Sequence, residues 1–228
     1  MNPQNSAVVA AAFASADDLA RIAPESKGKS VFALSTGADG AAEIMLYGPI
    51  GDYFWEGISS REIVEQIAGI TASTINVRIN SDGGVVTDGL AIFNALKRHG
   101  ATINVTVDGI AASIASLIAM AGDSVAMYAN TMLMVHAPMS GVWGNAVELR
   151  QHAEVLDTWA RAMRESYVAK TGKGDEVDAL LADGVDHYFT AAEALAFGFI
   201  DRIADAETEP AETDQAAAAA LLSFISAI

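Results

Sequence analysis

The chain has 228 residues, of which 52% are hydrophobic, and a formal net charge of −16 at pH 7. This length is enough to bury one substantial hydrophobic core, so we expect one main domain. The negative charge argues against nucleic acid or an anionic membrane as a partner, and the absence of cysteine excludes a disulfide framework, a thiolate metal site and a cysteine protease.

Residues 1–28 are rich in alanine, serine and asparagine and are predicted to form an N-terminal extension outside the core. No lysine or arginine precedes Arg21, so a secretory signal is not predicted. The best candidate for a membrane span, residues 110–121, is bounded by Asp108 and Asp123 and is shorter than the roughly 18 to 20 apolar residues that a span needs. We therefore expect a core helix there and a cytoplasmic location for the protein.

Residues 29–204 alternate between short strands and helices and are predicted to form the main domain. The predicted strands, in chain order, cover residues 43–47, 74–80, 102–107, 124–128, 132–135, a short one at 188–189, and 199–203. The predicted helices are one that starts at Ser59, one over residues 88–98, the core helix over 110–121, one over 145–170 and one that starts at Thr190 and stops at Gly198. Such alternation favours an α/β fold, in which helices flank a sheet with a large parallel component.

Two of these helices begin with the sequence of a capping box, in which an N-cap hydroxyl and an acid three residues later satisfy each other's backbone N–H groups. Ser59 and Glu62 form one such pair, and Thr190 and Glu193 form the other. We therefore expect both helix starts to be fixed by their own local sequence.

The C-terminal part of the chain contains two further segments. The helix over residues 145–170 is unusually long for a small domain, although its apolar residues recur at a spacing that also fits an ordinary core helix. Residues 205–214 are acidic and predict a solvated linker, and residues 215–228 are alanine-rich and apolar and predict a C-terminal helix.

Ser113 lies where an apolar strand gives way to a run of small residues, within the segment 107–116. Backbone N–H groups at a helix start have no intrahelical partner, and the helix dipole places partial positive charge there. A developing oxyanion is stabilised at such a point, so Ser113 is a candidate nucleophile for acyl transfer. The alternative is that the small residues only allow the helix to pack closely on the sheet.

A serine nucleophile needs a base within hydrogen-bond distance and a group that orients the base. Of the four histidines, His136 ends an apolar strand, where its side chain can face a cleft, although such a histidine also fits a structural role. His99 at a helix end and His152 in the long helix are expected to be solvated, and His187 follows Asp186 beside a short strand. The chain order of serine, histidine and acid differs from that of the α/β-hydrolases and chymotrypsin-like enzymes, and no Gly-x-Ser-x-Gly elbow is present.

Several segments, in this order, resemble the Clp protease proteolytic subunit family, and within it the head-maturation proteases of phages and prophages. They are INSDGGV (residues 79–85) for the family's glycine turn, GIAAS (109–113) for its nucleophile segment, MLMVHAP (132–138) for its histidine segment, and DHYFTAAEA (186–194) with GFID (198–201) for its acid segment. The similarity extends over about residues 40–204, which is most of the chain. It implies a ClpP/crotonase-like α/β fold in which a handle of about residues 139–172 projects from the globular part.

The resemblance implies that Ser113 is the nucleophile, His136 the general base and acid, and Asp186 the group that orients the imidazole. It assigns the two N–H groups of an oxyanion hole to Gly84, the second glycine of the turn, and to Ile114, which follows the serine. A glycine suits this role because the backbone can approach the scissile carbonyl without a side chain in the way. An ordinary tight turn is the alternative interpretation of the two glycines.

The sequence also departs from the family's pattern. Asp82 stands where the ATP-dependent members usually have proline, Ile114 replaces a frequent methionine, and residues 1–28 do not resemble the family's axial-loop segment. We therefore do not expect docking to a Clp-type ATPase. Asp183, three residues before Asp186, is the reserve candidate for the orienting acid.

The resemblance implies a homo-oligomeric ring, stacked on a second ring through the handle, that cleaves peptide bonds without a metal or another cofactor. The expected substrates are capsid or scaffold proteins of a phage prohead, and neither nucleic acid nor a membrane is an expected partner. Two alternatives remain open from the residues. One is a ring-forming assembly protein with an idle triad, and the other is a crotonase-type acyl-CoA enzyme, whose superfamily shares the fold and also holds an oxyanion with paired N–H groups.

Overall fold

One β-sheet runs through the part of the chain that this computed structural model describes, which is residues 31–36, 40–51 and 59–205. Its eight strands are β1 (Val31–Thr36), β2 (Ala42–Tyr47), β3 (Thr74–Ser81), β4 (Thr102–Ala112), β5 (Ser124–Tyr128), β6 (Met132–Val135), β7 (His187–Thr190) and β8 (Arg202–Ala204). Six helices lie in the same ranges: α1 (Ser60–Gly69), α2 (Val86–Lys97), α3 (Ile114–Ala119), α4 (Ala146–Thr171), α5 (Gly174–Ala182) and α6 (Ala191–Phe197).

The strand order is β1-β2-β3-β4-β5-β8, and β6 and β7 branch from β4. The pairs from β2 through β8 in this order are parallel, as is β4 with β6, whereas β1 with β2 and β6 with β7 are antiparallel. The predicted α/β fold with a large parallel component is therefore confirmed. The 11-residue strand β4 pairs with β5 through its first half and with β6 through its last three residues.

Alternating apolar residues of the central strands build the core together with α1 and α2. The buried strand residues are Ile75, Val77 and Ile79 on β3 and Ile103, Val105 and Val107 on β4. Ile63 and Ile67 of α1 and Ile92 and Leu96 of α2 belong to the same buried cluster. Because β3, β4 and β6 are parallel, their carboxyl ends meet at one edge of the sheet, where loops of α/β proteins carry functional residues.

Two predicted boundaries are wrong. The core helix predicted over residues 110–121 is instead the end of β4 followed by the short helix α3, because Ile110, Ala111 and Ala112 pair with β6. The strand predicted over residues 199–203 begins only at Arg202, after a buried turn. Helix α5 and strand β1 were not among the predicted elements.

The two predicted capping boxes have different outcomes. At Thr190 the box is confirmed, with both reciprocal bonds to Glu193 present. At Ser59 it is wrong, because the Ser59 side chain makes no capping hydrogen bond. The neighbouring Ser60 hydroxyl donates to Asp88, so the start of α1 is tied to α2 rather than to its own first turn.

The predicted long helix is confirmed as the 26-residue α4, which starts at a capping box of Asn145 and Glu148 and ends at Gly172 in the left-handed conformation. No helix in the described ranges is both long and apolar enough to cross a membrane. The predicted N-terminal extension and all but Asp205 of the predicted linker and C-terminal helix lie outside the described residues.

Candidate active site

Ser113 occupies a sharp turn between β4 and α3. It is the only non-glycine residue with a positive φ in the described ranges, with φ 54° and ψ −129°. Such a conformation costs about 1–3 kcal/mol and persists only where the surroundings hold it. Here the Ser113 N–H donates to the Met134 carbonyl at 3.0 Å, and the Ser116 N–H donates to the Ser113 carbonyl at 3.0 Å. Both ends of the turn are therefore fixed by backbone hydrogen bonds.

The turn at Ser113 is closely packed on all sides that the following contacts describe. The residues that flank it, Ala112 and Ile114, are buried, and so is the rest of α3. Gly83 packs directly against it, because a Cβ on this glycine would lie 2.6 Å from the Ser113 Cβ and 2.8 Å from the Ala112 carbonyl oxygen. With its φ of 101°, Gly83 is a position where only glycine avoids both a clash and backbone strain.

The Ser113 hydroxyl is hydrogen-bonded to His136, and His136 is hydrogen-bonded to Asp186. The Ser113 Oγ lies 2.7 Å from the His136 Nε2, and the His136 Nδ1 lies 2.9 Å from the Asp186 Oδ1. A carboxylate only accepts hydrogen bonds, so Nδ1–H donates to Asp186 and leaves Nε2 to accept the Ser113 hydroxyl proton. The three predicted catalytic side chains thus form one chain with the polarity that nucleophilic catalysis requires.

Strand pairing brings these three residues together. Ser113 follows β4 and His136 follows β6, which are parallel neighbours with Ala112 opposite Met134. Asp186 directly precedes β7, whose first residue, His187, lies opposite Val135 in the antiparallel pair with β6. The site is therefore assembled at the ends of three neighbouring strands.

The glycine turn places Gly84 beside Ile50, in the segment that follows β2. Ile50 donates to the Gly83 carbonyl and accepts from the Val85 N–H, both at 2.8 Å, in an isolated parallel bridge. Within such a bridge the N–H of Gly84 itself points away from Ile50. Gly84 has a φ of 152°, and a Cβ there would lie 2.0 Å from the Ile50 carbonyl oxygen. The other predicted donor, the Ile114 N–H, opens α3 and so has no intrahelical acceptor.

Asp183, the reserve acid, does not contact His136 but is paired elsewhere. Its Oδ1 accepts from the Val185 N–H and from the His187 Nε2, each at 3.0 Å. The Val185 N–H, and then His187, lower the pKa of the Asp183 carboxyl. The geometry therefore separates the two aspartates, with Asp186 on His136 and Asp183 on His187.

The remaining histidines lie apart from this chain. His99 accepts from the Ala101 N–H and donates through Nε2 to the Ile70 carbonyl, so both of its ring nitrogens are bonded to backbone groups instead of being solvated as predicted. His152 lies 2.6 Å from the Ser140 hydroxyl in a second, exposed serine–histidine pair. No hydrogen bond to an acid orients His152 in the described part of the chain, whereas Asp186 orients His136.

Two polar residues next to the turn were not selected from the sequence. Ser116 and Tyr167 are fully buried, and their side-chain oxygens lie 2.8 Å apart beneath the Ser113 carbonyl. They are 51 residues apart in the chain. Ser116 lies in a helix whose other residues are all apolar, which indicates a buried polar position, whereas the helical neighbours of Tyr167 include Arg164 and Lys170 and give no such signal.

The family model for Clp protease matches residues 26–207, which is well over half of the chain. This match spans every strand and helix described above and all the residues of the candidate site. It agrees with the α/β fold, in which strand–helix units follow one another along a mainly parallel sheet. The chain therefore belongs to the Clp protease family of peptidases.

Proposed function

We propose that this protein is a serine endopeptidase that hydrolyses peptide bonds through an acyl-enzyme on Ser113. The single observation that carries the proposal is the hydrogen-bonded chain from the Ser113 Oγ through His136 to Asp186, on a turn whose backbone is strained. Strain of this kind is retained where surrounding structure supports it and is common at active sites. A serine held only for packing has no need of the positive φ or of an oriented imidazole.

The reaction follows from the polarity of this chain. As the Ser113 Oγ attacks the scissile carbonyl carbon, its proton moves to the His136 Nε2, and Asp186 stabilises the imidazolium through Nδ1–H. The carbonyl oxygen becomes an oxyanion that accepts from the N–H groups of Gly84 and Ile114. The imidazolium then protonates the leaving amine. A water molecule next attacks the acyl-enzyme while His136 accepts its proton and passes it back to the Ser113 Oγ, which releases the carboxylic acid and restores Ser113.

Members of the Clp protease family commonly form oligomeric rings and act on protein substrates. The exposed apolar side chains at the start of α4 and in the loop before it support such an assembly here, because an oligomer would bury them. They are Met139, Val142, Trp143, Val147, Leu149 and Val155. Of the residues of α4, only Met163 and Tyr167 are buried in the single chain.

The biological setting we propose is the maturation of a phage capsid, with capsid or scaffold proteins as substrates and without a Clp-type ATPase. Its support is the resemblance of the sequence segments to head-maturation proteases and the lack of resemblance of residues 1–28 to an axial-loop segment. Strong stimulation of protein degradation by an added Clp-type ATPase would contradict this setting.

Labelling with a fluorophosphonate tests the chemistry. We expect mass spectrometry to locate the label on Ser113, and His136→Ala to abolish labelling because the base is lost. Ser140→Ala is the matched control, since it removes the other serine that is hydrogen-bonded to a histidine and should leave the labelling rate unchanged. Label on Ser140 would contradict Ser113 as the nucleophile, and a folded oligomer without label would favour the idle assembly protein instead.

Sedimentation velocity at micromolar concentration tests the assembly. Val155→Glu places a charge on the exposed apolar side of α4 and is expected to reduce the oligomer to smaller species, because an unpaired charge is costly to bury. Ala153→Glu adds the same charge at an exposed position about 160° away around the same helix and should leave the oligomer intact. A monomeric wild-type protein would contradict the ring.

A further inference from the structure

Beneath the nucleophile turn lies a pair of buried hydroxyl groups with no part in the triad. Ser116 on α3 and Tyr167 on α4 are both completely buried. The Ser116 Oγ lies 2.6 Å from the Ser113 carbonyl oxygen, and the Tyr167 hydroxyl lies 2.8 Å from the Ser116 Oγ and 3.4 Å from the same carbonyl. Both hydroxyl groups therefore converge on one backbone oxygen.

The distances assign the direction of these hydrogen bonds. A carbonyl oxygen only accepts, so the short 2.6 Å contact is a bond donated by the Ser116 hydroxyl. Since Ser116 has a single hydroxyl proton, the Tyr167 hydroxyl is the donor in the 2.8 Å contact. Burial raises the pKa of the Tyr167 phenol well above its usual value, so it remains a neutral donor. The resulting relay runs from Tyr167 to Ser116 to the Ser113 carbonyl.

The carbonyl that receives this relay belongs to the peptide that carries the Ile114 N–H. A peptide group is planar, and its C=O and N–H point in opposite directions, so fixing one fixes the other. Hydrogen bonds to the carbonyl also polarise the peptide and strengthen its N–H as a donor. A packing role alone would be met by phenylalanine and alanine, which leave no buried hydroxyl to satisfy.

We propose that Tyr167 and Ser116 are positioning residues of the peptidase, which hold and polarise the Ser113–Ile114 peptide so that the Ile114 N–H is aimed at the oxyanion. This inference rests on the proposed serine peptidase activity. It assigns to the last turns of α4 a role in transition-state stabilisation, although no side chain of α4 belongs to the hydrogen-bonded chain of Ser113, His136 and Asp186.

The test uses Tyr167→Phe, Ser116→Ala and the double variant in the full-length protein, with a peptide substrate and a peptide aldehyde that forms a tetrahedral adduct. Rates are expressed per Ser113 that a fluorophosphonate titrates, so that any unfolded fraction is removed. We expect kcat to fall about tenfold for Ser116→Ala and about threefold for Tyr167→Phe, with KM unchanged, because one oxyanion donor is worth about 10²–10³ and is weakened here rather than removed. Aldehyde affinity should fall by the same factors as kcat.

The double variant should lose little more than Ser116→Ala alone, because Tyr167 acts mainly through Ser116 and its own contact with the Ser113 carbonyl is long, at 3.4 Å. Tyr128→Phe, which removes a phenolic oxygen elsewhere, is the matched control and should leave kcat unchanged. If kcat per titrated site stays within twofold of wild type in both single variants, or if KM rises in place of a fall in kcat, the inference is overturned.

A second measurement does not depend on activity. With nitrogen-labelled isoleucine, the Ile114 amide signal should shift in Ser116→Ala and in Tyr167→Phe by more than the amide signal of Ile118, the other isoleucine of α3, because the hydrogen bond to the carbonyl of the Ser113–Ile114 peptide is lost or weakened. An unshifted Ile114 signal would overturn the inference even in an active enzyme. If wild-type Ser113 takes no label, the proposed function fails, and the amide signal still decides whether the relay orients this peptide.

Discussion

The two ends of the serine–histidine–aspartate chain are built in different ways. At the nucleophile end, Ser113 sits on a strained turn whose flanking residues and following helix are buried. At the acid end, the Asp186 side chain is 54% exposed and belongs to the short segment before β7. Packing therefore fixes the serine, whereas the aspartate is placed mainly by the pairing of β7 with β6. We expect changes at the buried end to affect both rate and stability, and changes at the exposed end to affect rate alone.

The largest effect is expected for Ser113→Ala, which should reduce peptidase activity by about 10⁶, the scale of a lost nucleophile in well-studied triads. Ser113→Gly sharpens the comparison, because glycine accepts the positive φ without strain. It should be equally inactive and more stable than Ser113→Ala by about 1 kcal/mol, which urea denaturation can measure. Equal stability of the two variants would show that the turn is not strained.

Asp186→Asn is expected to lower kcat by about 10³, less than the about 10⁴ known for a buried triad acid, because solvent replaces part of its interaction with the imidazole. The free energy of unfolding should stay within about 0.5 kcal/mol of wild type, as is usual at an exposed position.

The double variant His136→Ala with Asp186→Ala should lower kcat little more than His136→Ala alone, and additive losses of kcat would count against a single catalytic unit.

Gly84→Ala probes the oxyanion side of the buried end. The added Cβ would lie 2.0 Å from the Ile50 carbonyl oxygen, so the turn must shift, and kcat should fall by about 10² with a loss of stability. Gly100→Ala is the matched control, since a Cβ there meets nothing within 4 Å. Activity assays measure kcat and thermal denaturation measures stability in both variants. An unchanged kcat in Gly84→Ala would remove this glycine from the proposed oxyanion hole.

The smallest effect is expected for Asp183→Asn, which should change kcat by less than about threefold because this carboxylate orients His187 and not His136. The pKa of Asp183 is lowered in the folded protein, so its contribution to stability is present above the ordinary carboxyl pKa of about 3.9 and is lost as pH falls through the lower folded value. The variant should therefore be slightly less stable than wild type at pH 7 and equal to it in strong acid. A loss of activity as large as that of Asp186→Asn would leave the orienting acid unresolved.

Those parts of the site that follow strand ends could be predicted from the sequence. His136 terminates the apolar run of β6, and β5 and β6 have the boundaries that the pattern predicts, whereas Ser113 was predicted from its place where an apolar strand gives way to small residues. The extension of β4 to Ala112 could not be predicted, because its last residues are small and become a strand only through pairing with β6. Local sequence also failed at Ser59, where Ser60 bonds to the neighbouring helix instead of closing a capping box.

The supporting residues of the site were hidden from sequence for a different reason. Tyr167 and Ser116 meet only after α4 packs behind α3, and periodicity reports which side of a helix is buried but not which buried polar atoms face each other. The family resemblance selected Asp186 over Asp183, a choice that the local pattern alone does not make. Both precede β7 by a few residues, and only the register of β7 with β6 places Asp186 at His136.

Helix α4 is anchored at its C-terminal end, which lies next to the candidate active site. Met163 and Tyr167 are buried and hold its C-terminal turns in place, and Lys170 forms an ion pair with Asp201. Its N-terminal end at Ala146 lies roughly 30 Å along the axis from Tyr167. A tilt of about 2° about the buried turns therefore moves Ala146 by about 1 Å and the Tyr167 hydroxyl by far less. Small movements of the N-terminal end of α4 therefore change the contact between Tyr167 and Ser116 very little, so the peptide that follows Ser113 keeps its orientation while that end adjusts its position.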